Sequence, residues 1–218
     1  MTDESLIREV DEEVRQDEYK KLWDRFGTLI MGVAALVVAG VGGTQAWQYY
    51  QQKQSEQAAV VYFDALKKSE AKKYDDASAA LKAVTHGGYA QLAKLEEAAL
   101  LASKGDTENA VAAFDAFAAD SSHPVVLQDV ARIRAGYLLV DTAKPDELLT
   151  RLGRYDKEGN AWRHQAREIF GLAAWRTGDM TMADRYMNAI VADPETPAAM
   201  RQRATMMVQL IAPKLSAK

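Results

Sequence analysis

From Phe26 to Gln52 the chain carries no charged residue, and no other feature of its 218 residues restricts its structure as much. The apolar heart is Phe26–Gly43, and with Thr44–Trp47 it reaches the roughly 20 residues needed to cross ~30 Å of hydrocarbon. Inside a bilayer every backbone N–H and C=O must be paired within the segment, so such a stretch is a helix. Trp23 lies before it, and Trp47, Tyr49 and Tyr50 lie at its far end. Amphipathic rings of this kind suit the two headgroup regions. Residues 26–48 are therefore predicted to be a transmembrane helix, preceded by a tail at 1–25.

Two other readings compete. A cleaved secretory leader has a shorter apolar run and a short basic start, whereas this run follows a long acidic one; Thr44-Gln45-Ala46 is its nearest approach to a cleavage site. A buried core helix is disfavoured by the unbroken apolar run between aromatic ends. Orientation follows from positive charge. Lys20, Lys21 and Arg25 stand just before the span, against Lys53 alone close after it. The N-terminus is expected on the cytoplasmic side, and the region 53–218 on the far side, the periplasm in a bacterium. Within the span, Ala35, Ala39 and Gly43 recur at four-residue spacing and are the candidate contact for another membrane helix. The alternative is that small residues are simply common in such helices. The tail has a weak apolar stripe, Leu6, Val10 and Val14, on an acidic helix pattern, which reads as a solvated lead-in or a docking segment.

The net charge of −4 belongs to this tail. Residues 1–25 hold nine Asp/Glu and five Lys/Arg, and the rest of the chain has 22 of each sign. No basic surface is implied, so nucleic acid is not an expected partner. There is no cysteine, which removes disulfides, thiolate catalysis and Cys-ligated metals. About 165 residues follow the span, enough for one domain with its own core, and their alanine-rich composition favours helix.

Those residues repeat themselves. Gly105-Asp106 leads to Ala110, then Phe114 and Phe117; Gly178-Asp179 leads to Ala183, then Met187 and Ile190. Weaker copies run from Tyr74-Asp75 to Ala77, Leu81 and Val84, and from Pro145-Asp146 to Leu148, Leu152 and Tyr155. The anchors 77, 110, 148 and 183 are 33, 38 and 35 residues apart. Twelve residues before each lies a small one: Ala65, Ala98, Gly136 and Gly171. These sit in helical runs, Tyr62–Lys68, Leu92–Ser103, Val126–Val140 and Trp162–Trp175. Each unit is predicted to be a first helix, a short turn and a second helix, packed closely through the small positions. Such units bury their faces by stacking into a solenoid. Pro197–Ala212 places Met200, Ala204, Met207, Val208 and Ile211 at helical spacing, with Arg201, Gln202 and Arg203 outward, as a capping helix.

The spacing resembles the tetratricopeptide repeat, whose period is 34 residues. Residues 65, 98, 136 and 171 match its small site on the first helix; Ala77, Ala110 and Ala183 match its alanine on the second, with Phe114 at the following aromatic site. The motif's tryptophan is missing from every unit, and its closing proline is met only approximately, by Pro124 and Pro194. The expected fold is thus all-α: one transmembrane helix, then about four degenerate helix pairs and a C-terminal cap. In such solenoids the first helices line the inner face. Carrying that register over places Tyr62, Leu95, Ile133 and Glu168 on it, with Leu66, Ala99, Tyr137 and Leu172 beside them and Val140 and Trp175 a turn further. Tyr62, Leu95, Ile133, Tyr137, Glu168 and Trp175 are the candidate partner-binding residues. The face is apolar, and reads either as a groove for hydrophobic polypeptide segments or as core. Tyr137 and Trp175, each with a polar handle, are expected to be partly exposed.

No catalytic constellation emerges. His86, His123 and His164 fall in different units without metal-type spacing and are expected in surface or turn roles. Ser69, Ser78, Ser103, Ser121 and Ser122 lack a nucleophile elbow. Gly40, Gly42 and Gly43 lie in the span, not in a phosphate loop. No enzymatic activity, cofactor, metal or small-molecule substrate is expected.

The whole layout resembles the ancillary SecYEG translocon subunit family (YfgM-like proteins). The resemblance rests on the acidic tail, Lys20-Lys21-Leu-Trp23 and Gly27 entering one membrane helix, and Trp47, Tyr49 and Tyr50 leaving it. Its most specific stretch runs from Ala166 to Asp179, through Asp193-Pro194 and Pro197, to Arg201-Gln-Arg-Ala204. It implies a bacterial inner-membrane protein with a periplasmic repeat domain, set beside SecYEG and passing emerging proteins to periplasmic chaperones, notably a membrane-anchored isomerase-like partner (PpiD). The rival expectation is a repeat scaffold for another envelope machine, such as cell-division or cell-wall assembly.

Overall fold

The computed structural model describes the backbone of residues 3–216 and side chains from residue 19 onward, except at 21, 22 and 216. The side chains of Leu6, Val10, Val14 and Lys21 therefore lie outside the described residues. All regular structure among the described residues is helical. In order come α1 (Asp3–Glu70), α2 (Tyr74–Lys82), α3 (Gly87–Ser103), α4 (Thr107–Ala119), α5 (Val125–Leu139), α6 (Pro145–Leu152), α7 (Arg163–Thr177), α8 (Met180–Ala192) and α9 (Ala198–Ser216); a 3₁₀ turn, Gly153–Tyr155, follows α6.

The chain divides into two units, Met1–Gln57 and Ala58–Lys218. The described part of the first is α1 as far as Gln57. Nine large apolar side chains between Phe26 and Val41 are exposed on it, and only 6% of its most apolar stretch is buried. Each such side chain gains about 1.5–3 kcal/mol on leaving water, so this stretch is no core helix of a globular domain. It is long and apolar enough to cross a membrane. Ala35, Ala39 and Gly43 are all exposed on it. Helix α1 runs unbroken past residues 48 and 53. No glycine or proline stands between Thr44 and Glu70, and α1 continues to Glu70.

The second unit is built of helix pairs: the end of α1 with α2, α3 with α4, α5 with α6, and α7 with α8, closed by α9. The Gly-Asp motif has two jobs at the turn inside a pair. Gly105 and Gly178 both take φ of 84°, a left-handed conformation that costs glycine nothing. It lets Asp106 N–H donate back to the Leu101 carbonyl at 3.0 Å and Asp179 N–H to that of Ala174 at 2.9 Å. The aspartate then caps the second helix: Asp106 accepts from the Asn109 N–H at 3.3 Å and Asp179 from the Met182 N–H at 2.9 Å. The first pair makes the same turn with Lys72 at φ 58° and no side-chain cap. The third uses Pro145 at the start of α6, where no N–H is needed.

The repeat register organises the core. Ala65, Ala98, Gly136 and Gly171 are buried on the first helices, and Ala77, Ala110, Leu148 and Ala183 on the second. A methyl group on Gly136 would stand 2.5 Å from Leu152 Cδ1, and one on Gly171 2.7 Å from Met187 Cε. The large residues four and seven places after each anchor then pack forward onto the next first helix. Leu81 and Val84 share a core with Ala93 and Leu100 of α3. Phe114 and Phe117 do so with Ala131 and Ala135 of α5. Leu152 and Tyr155 meet Ala166 and Phe170 of α7, and Met187 and Ile190 meet Met200, Ala204 and Ile211 of α9. Two details differ from expectation. Helix α3 starts at Gly87, before Leu92, and of the α9 residues expected outward Arg201 turns onto the α8–α9 loop and Arg203 toward α7.

Candidate partner-binding face

Tyr137 and Glu168 stand on neighbouring first helices, α5 and α7. The Tyr137 hydroxyl donates to Glu168 Oε2 at 2.6 Å, and Arg203 of α9 donates to the same carboxylate from Nε at 2.9 Å and from Nη2 at 3.2 Å. Glu168 is only 7% exposed. A buried carboxylate needs such partners, because desolvation without compensation is expensive. Burial, and then the bond to Glu168, hold the Tyr137 phenol well above the ordinary tyrosine range. The cluster fixes α5, α7 and α9 relative to one another along this face.

Beside it lies a groove of about 480 Å³ lined by Tyr137, Val140, Asp141, Leu172, Trp175 and Arg176. Its lining mixes apolar and polar side chains. Arg176 is committed to the end of α5, donating from Nε to the Val140 carbonyl at 2.8 Å and from Nη2 to that of Ala143. The Lys214 ammonium sits 3.9 Å from the centre of the Trp175 ring, a cation–π contact from the last turn of α9. Among the described residues Asp141 makes no ion pair.

The six residues singled out from the register therefore separate. Tyr137 and Trp175 reach the groove, and Glu168 supports it from below. Leu95 and Ile133 belong to the core instead, at 3% and 4% exposure: their register position points between adjacent helices, against Phe114 and Leu152 respectively. Tyr62 is half-buried, its ring 5.7 Å from that of Tyr89 and 5.6 Å from that of Phe63, and burial raises its phenol above the usual value. Register alone did not reveal Arg203, Lys214 or Arg176. Glu168 held the signal for the first, since a carboxylate among core positions of a helix requires a cation from outside it.

Two of the histidines are buried, not on the surface. His123 stacks on Phe117 with ring centres 3.9 Å apart, and His164 Nε2 lies 3.1 Å from Asp193. Asp193 is the centre of a structural ion network. Arg163 donates to it from Nε at 2.7 Å and from Nη2 at 3.0 Å, and Arg167 at 3.2 Å. The Arg163 guanidinium holds the Asp193 carboxyl far below the usual carboxylate range. Arg201 donates to the carbonyls of Asp193 at 2.9 Å and Pro194 at 3.1 Å. These groups tie the loop between α8 and α9 to the start of α7. A smaller cavity of about 230 Å³ on the second-helix side is bordered by another pair, Arg151 and Asp115, 2.5 Å apart.

Stacked helix pairs with a shared register and a grooved first-helix face define a class, the α-helical repeat proteins that mediate protein–protein interaction. The tetratricopeptide repeat-like domain family matches residues 20–211, and the chain belongs to that family. No curated protein and no solved structure matches it.

Proposed function

We propose that this protein is a membrane-anchored interaction scaffold that presents the Tyr137–Trp175 groove to polypeptide segments. The observation that carries the reading is the groove itself, lined by apolar Val140, Leu172 and Trp175 together with polar Tyr137, Asp141 and Arg176, on the face that a tetratricopeptide-like domain offers to partners. The exposed apolar stretch of α1 supports anchoring. Lys20, Lys21 and Arg25 before it support a cytoplasmic N-terminus, and Ala35, Ala39 and Gly43 offer a stripe for a neighbouring membrane helix. Taken with the resemblance to the ancillary SecYEG subunits, the assembly is the Sec translocon of a bacterial inner membrane. The repeat domain then stands in the periplasm and links emerging proteins to chaperones such as PpiD.

The test is a photo-crosslinker placed at Tyr137 and at Trp175 in the full chain, in membranes engaged in secretion. Adducts to emerging chains or to PpiD are expected, with SecYEG retained in mild detergent. Replacing Trp175 with Ala should weaken the association about tenfold with helical circular dichroism unchanged. Copurification of wall or division enzymes without SecYEG would sink the translocon reading. Loss of helicity in the Trp175 variant would show the ring to be core.

A further inference from the structure

One helix reaches both aromatic residues of the Tyr137–Trp175 groove, and it reaches each with a cation. Arg203 and Lys214 lie eleven residues apart on α9. That is about three turns of an α-helix, so they project from one side of α9, about 16 Å apart along its axis. Arg203 donates to Glu168 from Nε at 2.9 Å and from Nη2 at 3.2 Å, and the Tyr137 hydroxyl donates to the same carboxylate at 2.6 Å. Lys214 places its ammonium 3.9 Å from the centre of the Trp175 ring. Among the described residues Lys214 makes no ion pair. Neither cation lines the groove, whose walls are Tyr137, Val140, Asp141, Leu172, Trp175 and Arg176.

The two rings lack the support that other aromatic residues of the domain have. Tyr62, Phe117 and Phe170 each pack against another ring, whereas among the described residues Tyr137 and Trp175 have no aromatic neighbour. Tyr137 is 36% exposed and Trp175 half-buried. The Trp175 indole N–H is not buried and has no acceptor among the described residues. A side chain in this position samples several rotamers within nanoseconds unless a specific contact selects one. The ammonium on the ring face selects one for Trp175, and the carboxylate that Arg203 neutralises selects one for Tyr137. A side chain fixed before binding spares the entropy of ordering it in the complex.

We propose that Arg203 and Lys214 are positioning residues, through which α9 holds Tyr137 and Trp175 in the orientation that receives a polypeptide segment. This rests on the groove being the polypeptide site. Neither cation touches the bound segment. Arg203 acts through Glu168, and Lys214 takes one face of the indole and leaves the rest of the ring to the groove. Helix α9 then has two tasks on adjoining sides. Met200, Ala204 and Ile211 close the stack of helix pairs, and the two cations set the binding face.

The experiment uses the full chain in lipid nanodiscs, with Trp23, Trp47 and Trp162 replaced by Phe so that Trp175 is the only tryptophan. Two quantities are read: the fluorescence anisotropy decay of Trp175, and the Kd for a fluorescein-labelled synthetic peptide of alternating Leu and Ser. Lys214→Gln should speed the local motion of the ring and weaken the peptide about fivefold. Lys214→Arg, which keeps the cation, should restore both. Arg203→Lys keeps a charge on Glu168 but loses the paired bonds, and should weaken the peptide about twofold without changing the Trp175 decay. Lys214 is exposed, so its variants keep the fold. The proposal is overturned if Lys214→Gln leaves either the ring motion or the affinity unchanged. It is also overturned if Lys214→Gln tightens binding, which would make Lys214 a cover over Trp175. If the peptide binds none of the proteins, the unaltered one included, the groove is not the polypeptide site and the proposal falls with it. If the peptide binds all of them equally, the groove stands and the positioning role does not.

Discussion

At the C-terminal end of the repeat domain α9 lies on α8 with Met200, Ala204 and Ile211 buried, and Arg201 and Arg203 fasten it through the α8–α9 loop and Glu168. At the N-terminal end the equivalent strip of α1 leaves Val60 and Phe63 in solvent. Both ends face the same problem, since a stacked helix pair always leaves one face without a neighbour. One end resolves it within the chain. The other leaves Val60 and Phe63 exposed beside the charged Asp64 and Lys67. The difference separates an end sealed by the chain's own last helix from one left open to solvent.

Truncation reads that difference most directly. Ile211 is fully buried at the closed end, and Ile211→Ala should cost about 2–5 kcal/mol through lost contacts and a residual cavity. Val60→Ala at the open end should stay within about 0.5 kcal/mol. Urea unfolding of both variants checks the pair. A comparable loss at Val60 would mean that the strip is already covered.

The closed end should also be the acid-sensitive one. The Arg163 guanidinium depresses the Asp193 carboxyl in the folded protein, so Asp193 contributes stability above the unfolded-state value of about 4. That contribution is lost as pH falls through the lower folded value. Thermal unfolding from pH 7 downward should therefore show the protein losing melting temperature below about pH 4. Asp193→Asn should melt lower at neutral pH and lose less on acidification. The exposed pair of Asp75 and Lys104, 2.6 Å apart, is screened by salt and should contribute little to the same curve. Parallel pH profiles for the two proteins would remove Asp193 from the account.

How legible these ends were in the sequence depends on the kind of signal. Ala110, Ala183 and the residues four and seven places on repeat with a period, and period maps onto a buried helix face without further information; all of them are core. The Gly-Asp turns were equally readable, because a left-handed glycine followed by a capping aspartate has a fixed local geometry. The groove was readable only in part. Register places Leu95, Ile133 and Tyr137 on one side of their helices, but exposure depends on how far adjacent first helices approach. That distance is set by contacts such as Leu152 against Gly136, which link elements distant in sequence. Arg203 and Lys214 were hidden for a related reason, since a charged residue on a capping helix looks solvated until the fold brings Glu168 and Trp175 beneath it. The open strip at Val60 needed both levels, the register to align it with Ala93, Ala131 and Ala166 and the structure to show that only it is uncovered.

The smallest effect concerns the turn that precedes each end's second helix. In the fourth pair Gly178 takes the left-handed conformation and Asp179 caps α8. In the first pair Lys72 takes the same conformation at φ 58° and α2 has no side-chain cap. A lysine there bears the clash of its Cβ with the following carbonyl, about 1–2 kcal/mol, whereas glycine does not. Glycine in turn gains freedom in the unfolded chain, which offsets part of the relief. Lys72→Gly should therefore stabilise the open end by about 0.5–1 kcal/mol. The gain should appear as slower amide exchange in α2 and a small rise in melting temperature. Gly178→Ala should lose a similar amount at the closed end. If Lys72→Gly destabilises the protein, the side chain of Lys72 holds α1 against α2 through contacts beyond the turn, and the two ends differ in more than their exposed strips.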